Sequence, residues 1–152
     1  MIYALALLIG VVAGLRALTP LAAVSWAARA GDPALDGTLL AFLGYRWTPW
    51  VLTLLALGEL VSDKLPKTPS RKVPVQFATR IVVGAICGAA LAIPAGAGIA
   101  GALLGAVGAV LGTLGGAAVR GRLAAAFGSD RPAALIEDLV AIVAAILIVR
   151  AA

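Results

Sequence analysis

Long apolar runs alternate with short polar breaks along this chain, and most of the runs are long enough to cross a bilayer. The first, residues 2–28, is interrupted only by Arg16, Thr19 and Ser25. As one straight helix it would measure roughly 40 Å at 1.5 Å per residue, more than a ~30 Å hydrocarbon core needs. Gly14 and Pro20 bracket its middle, so the pattern predicts a bend or local unwinding between them. A polar connection at residues 29–33 leads to a short apolar piece, residues 35–43, too brief to span and suited to the interface. Tyr45, Trp47 and Trp50 form an aromatic cluster of the kind found at headgroup depth. Pro49 fits the first turn of a second span that runs to about residue 65. Three more spans are expected at residues 74–93, 97–119 and 133–149, with a tight turn at Pro94 and Gly96 and a polar loop at 120–132. The predicted architecture is all-α: an integral membrane helical bundle of about five transmembrane spans with a broken first helix, forming one domain over residues 1–152.

Composition supports the membrane reading and excludes several chemistries. Of the 152 residues, 62% are hydrophobic and 12% charged, against about 45–50% and about a quarter in soluble domains. The single cysteine, Cys87, rules out a disulfide framework and any cysteine-based metal site. Without histidine there is no Ser-His or Cys-His catalysis and no imidazole ligand. No cofactor is implied. The net charge of +5 would suggest nucleic acid in a soluble protein. Here the basic residues lie between apolar runs, so they report membrane orientation and the bilayer is the expected partner.

Lys64, Lys67, Arg71 and Lys72 follow the second span, and Arg120, Arg122 and Arg131 follow the fourth. With five spans these two loops share the cytoplasmic side of the plasma (inner) membrane. The N-terminus is then cytoplasmic, the C-terminus outside, and Trp26, Trp47 and Trp50 gather at the outer interface.

Ionisable residues inside the spans carry most of the chemical information, because each costs several kcal/mol unless paired or hydrated. Arg16 lies halfway through the first span. Glu59 lies nine residues past Trp50, about 14 Å below the aromatic belt at helical rise. The economical expectation is an Arg16–Glu59 pair at the midplane. Arg80, Glu137 and Asp138 lie nearer the cytoplasm, with one of the two acids expected as Arg80's partner. Asp63 is one turn beyond Glu59, on the same helix face. With Thr19, these residues define a candidate polar track: Arg16, Thr19, Glu59, Asp63, Arg80, Glu137 and Asp138. The pairs Arg16/Glu59 and Arg120/Glu137, together with a faint likeness between the segments ending at Glu59 and Glu137, suggest a weak inverted repeat of the kind seen in transporters.

Two further features stand out. Residues 58–71 place two acids before a run of bases, hydroxyls and prolines. Lys64, Lys67, Arg71 and Lys72 there suit a lipid headgroup or phosphate, and Glu59 with Asp63 could hold a divalent cation. The bland alternative is an ordinary positive-inside loop stiffened by Pro66, Pro69 and Pro74. In the fourth span Gly101 and Gly105, then Gly108, Gly112 and Gly116, recur every four residues, a zipper-like face that admits close helix approach. Close packing within the bundle is the favoured reading, with Gly84 and Gly88 supplying a groove; a homo-oligomer is the other.

The segment from Gly14 to Pro20, the segment from Glu59 through Asp63, Lys64, Pro66 and Lys67 to Arg71, and the Glu137–Asp138 pair resemble the bacterial membrane family catalogued as domain of unknown function 4126. The resemblance extends over nearly the whole chain. It implies a small multi-span bundle, brings no established activity, and marks the same residues.

The reading that follows is a small transporter or channel with a charged intramembrane track, acting on an anionic lipid, a phosphate-bearing ligand or a related solute. One alternative is an enzyme acting on a lipid phosphate through Glu59 and Asp63. Against it, no nucleotide-binding loop and no second carboxylate motif is present. Another is a non-catalytic assembly factor, for which the charges only hold helices together.

Overall fold

The computed structural model describes residues 1–63 and 73–152. Lys64, Lys67, Arg71 and Lys72, and with them the expected headgroup site, lie outside the described residues. The described chain forms six α-helices: α1 (Ile2–Leu15), α2 (Leu18–Ala30), α3 (Thr48–Ser62), α4 (Pro74–Ala92), α5 (Gly98–Phe127) and α6 (Asp130–Ala151). Short 3₁₀ turns at Ala41–Gly44 and Ile93–Ala95 fall in the connections after α2 and α4. Three helical stretches, Pro74–Ala95, Gly98–Phe127 and Asp130–Ala151, are long and apolar enough to cross a membrane, and α1 and α3 are shorter apolar helices. The protein is a helical membrane bundle.

Local sequence explains most boundaries. Pro49 and Pro74 occupy first turns, where the missing N–H would have no partner in any case. Gly31 and Gly128 end α2 and α5 in the left-handed region that glycine enters without steric penalty. The break between α1 and α2 has a different origin. Arg16 is extended, with φ −141° and ψ 116°, and α2 starts at Leu18, after the N-cap Ala17.

Contacts fix the helix directions. Gly10 of α1 lies against Gly105 of α5, and Gly14 against Gly112 and Thr113, so these two helices run parallel. Gly84 meets Gly105 and Gly88 meets Gly101, which makes α4 and α5 antiparallel. Glu59 reaches Ala17, while Trp26 contacts Trp50 and Thr53, so α3 runs antiparallel to α2. Leu39 and Leu40, which follow α2, share a cavity wall with Ile93, Gly98 and Ile99. The chain after α2 has therefore returned to the end of the bundle from which α1 began. Residues 2–30 form a helical hairpin with its tip at Arg16 and Ala17, and Ile9 and Val24, on opposite arms, are both fully buried in the same core.

The broken first helix expected from the sequence is present, and the break is a reversal. At about 21 Å, α1 is too short to cross a ~30 Å core, and the chain turns back inside the bundle instead of bending and continuing. The five apolar runs thus give six helices among the described residues, the first run supplying two. Met1, the α4–α5 turn and the C-terminal part of α6 lie toward one end of the bundle, called here the terminal end. Asp63, Pro74 and the α5–α6 turn lie toward the other. The reversal at Arg16 places Met1 and the C-terminal part of α6 at the same end of the bundle. Because α1 and α5 run parallel, the Arg16 and Arg120 segments are not related by inversion.

The glycines of α5 are used within the chain. A Cβ on Gly105 would land on the Gly84 carbonyl, and one on Gly108 or Gly112 on the Leu7 or Val11 carbonyl. Three backbones, α1, α4 and α5, thus meet with no side chain between them. Leu103, Val107, Leu111 and Leu114 of α5 are about half or more exposed, as expected where the solvent is hydrocarbon.

Candidate functional site

The hairpin tip creates an electrostatic demand that fixes the site. A helix end inside a bundle leaves carbonyls at its C-terminus and N–H groups at its N-terminus without intrahelical partners, and no water is at hand to receive them. Here two helix ends meet at one point. The Arg80 guanidinium donates to the carbonyls of Gly14 (3.0 Å) and Leu15 (2.8 Å), closing the end of α1. The Glu59 carboxylate accepts from the N–H groups of Ala17 (2.9 Å) and Leu18 (2.8 Å), closing the start of α2. Each charge has the sign that its helix dipole favours. The two capping groups also face each other, at 3.7 Å. Thr113 adds a hydroxyl to the Gly14 carbonyl.

Arg16 itself, with a side chain 0% exposed, points to other acids. Its guanidinium lies 2.7 Å from Asp63, 2.5 Å from Asp138 and 3.9 Å from Glu137. Asp63 Oδ2 is shared with Arg120 at 2.6 Å, and Arg120 also reaches Glu137 (3.2 Å) and Asp130 (2.6 Å). The network is graded in exposure, from buried Arg16 through Asp63 and Arg120, 17% and 14% exposed, to Asp130 at 59%.

Arg16, Glu59, Asp63, Arg80, Glu137 and Asp138 are thus brought into one cluster at the hairpin tip, but their pairing differs from the sequence expectation. Arg16 is not the partner of Glu59. The tip needs an acid for the α2 N–H groups, and Glu59 supplies it, which releases Arg16 to Asp63 and Asp138. Arg80 is held by carbonyls and Glu59, while Glu137 and Asp138 both reach Arg16. Thr19 lies one helical step beyond Leu18, with its hydroxyl buried and without a hydrogen-bond partner among the described residues.

Sequence reasoning paired Arg120 with Glu137, as the structure does, but left Arg120 and Asp130 out of the track and missed Thr113. Arg120 reads as a loop cation because apolar residues thin out after Val119, yet α5 continues to Phe127 and holds it in the bundle. The signal available was its distance from Glu137 across a single turn, which an antiparallel helix pair brings face to face. Glu59 and Asp63, the pair considered for a cation, are committed to backbone N–H groups and to guanidinium groups respectively. Among the described residues, no group of three or more acidic or cysteine side chains could hold a metal ion.

The Glu59 cap makes a specific prediction. Glu59→Gln keeps the size of the side chain but turns an amide NH₂ toward one of two backbone donors. A loss of about 1–3 kcal/mol in unfolding free energy is expected, the scale of a buried donor left unmade, read from denaturant unfolding of the detergent-solubilised protein. An unchanged stability would show that the carboxylate does not cap the hairpin.

A helix hairpin whose tip is held by buried ionisable side chains, inside an otherwise apolar bundle, defines a helical membrane protein with a buried charged centre. The chain belongs to the family described as domain of unknown function (DUF4126), whose model matches residues 3–152. No curated protein and no solved structure matches it.

Proposed function

We propose that the protein is a small membrane transporter that works through the hairpin tip, and that the tip receives an anionic group. The observation that carries this reading is the Glu59 carboxylate on the N–H groups of Ala17 and Leu18. That position is a ready seat for an anion, because N–H donors and the positive end of α2 converge there. It is occupied by a side chain, from a separate helix, that a carboxylate or phosphate of a substrate can replace on the same donors. Arg16 and Arg80 flank the seat and compensate the incoming charge. Broken helices with such ends near mid-membrane recur in secondary transporters, and buried intramembrane charges are functional candidates by default.

The graded exposure from Arg16 to Asp130 supplies a route toward the end that carries Asp63 and the α5–α6 turn. Arg120, Arg122 and Arg131 belong to that end by position in the chain, and the sequence joining Asp63 to Val73 adds four basic residues. By the positive-inside rule this end is cytoplasmic, so both termini face outward, with the aromatic residues Trp26, Trp47 and Trp50.

Cysteine accessibility tests the route without a known substrate. In a Cys87→Ala background, Thr19→Cys is expected to react with a membrane-impermeant methanethiosulfonate reagent added to either side of reconstituted vesicles. A transporter exposes its centre alternately to both sides. Failure to react from either side, in protein that remains folded, would overturn transport and leave a structural core.

A further inference from the structure

We propose that the substrate is an amphiphile drawn from the bilayer, and that the groove between α2, α3 and α6 holds its hydrocarbon chain. This rests on the transport reading and names the substrate class of the same site. The groove has a volume of about 270 Å³. Ala22 and Ala23 of α2 form its floor, Ala56 and Leu57 of α3 one wall, Ala145 and Ile146 of α6 the other. Leu57 and Ile146 are 52% and 43% exposed, so the groove opens laterally onto lipid.

Three observations identify the occupant. The lining is apolar over most of its length and its floor is alanine, which leaves space that water would not favour and a hydrocarbon chain would. At its inner end lies Thr19, 8% exposed, whose hydroxyl has no hydrogen-bond partner among the described residues. A buried hydroxyl left without a partner is unfavourable, so the inner end calls for a polar group from the ligand. Thr19 directly follows Leu18, whose N–H is half of the anion seat. A chain lying in the groove therefore delivers its head to Thr19 and to the donors that Glu59 now holds. Toward the terminal end the groove is bounded by Trp26 and Thr53, hydrogen bonded to each other at 3.0 Å, the amphipathic pair expected near headgroup depth.

The test uses phosphatidylglycerol with a diazirine in its acyl chain, mixed into phosphatidylcholine vesicles that contain the full-length protein. After illumination the labelled residues are mapped by mass spectrometry. Label is expected to concentrate on Ala23, Ala56, Leu57 and Ile146, above its level on the lipid-facing Leu103 and Val107 of α5. Ala23→Phe, which fills the groove from its floor, is expected to reduce groove labelling to that control level. Ile146→Trp, at an exposed position on the rim, is expected to do the same where Ala23→Phe impairs folding. Even labelling of the groove and of α5 would mean ordinary boundary lipid and would overturn the proposal, as would cross-links to a second copy of the chain there. If the groove is not enriched while Thr19→Cys still reacts from both sides, the amphiphile is wrong and the transport reading stands. If neither is seen, both fall.

Discussion

Arg16→Leu is expected to destabilise the folded protein by about 3–5 kcal/mol, the range found when one partner of a buried ion pair is removed. The guanidinium is fully buried between Asp63 and Asp138, and its loss leaves two carboxylates pressed together in a medium that solvates them poorly. Asp63 keeps Arg120, and Asp138 loses its ion pair with Arg16. Adding Asp138→Leu to Arg16→Leu should therefore recover part of the loss, whereas adding Glu59→Leu should deepen it, since Glu59 serves the α2 N–H groups rather than Arg16. A double-mutant cycle in detergent or nanodiscs measures both couplings. A stronger coupling of Arg16 to Glu59 than to Asp138 would sink the arrangement described above.

The second large effect belongs to a residue with no side chain. Gly105→Ala places a methyl group on the Gly84 carbonyl, where backbone meets backbone and neither helix can yield locally. Overpacking of this kind costs about 1–3 kcal/mol, here at a point shared by α1, α4 and α5. Gly115→Ala, ten residues along the same helix, meets nothing within 4 Å, so the gain in helix propensity, up to about 1 kcal/mol, is expected unopposed. Thermal denaturation of the two variants should move in opposite directions. Equal shifts would mean that the α5 glycines are not packed as described.

How much of this was readable beforehand differs from residue to residue. The α5 glycine face was legible because a four-residue spacing places small residues on one side of any helix, whatever its partners. The break near Arg16 was legible from the length of the run and from Gly14 and Pro20. Which acid serves Arg16 was not, because depth is all that a run of apolar residues encodes, and depth set Glu59 level with Arg16 and Asp138 nearer the cytoplasm. The choice among them depends on helix azimuth and on the donors freed at the tip. Arg120 was paired with Glu137 but placed in a loop for a related reason: polarity rises after Val119, and sequence cannot say that the helix persists in the bundle through that change.

By itself, then, the sequence determined that this is a helical membrane protein, where its apolar helices lie, and which buried charges must find partners, since burial of apolar surface and the cost of an unpaired charge are set by residue type. Only the tertiary structure decided that residues 2–30 turn back on themselves at Arg16. Bending onward and folding back expose the same apolar residues to the same hydrocarbon. The difference lies in long-range contacts, Arg80 and Glu59 on the two helix ends and Asp63 and Asp138 on Arg16, which exist only once α3, α4 and α6 have assembled around the tip.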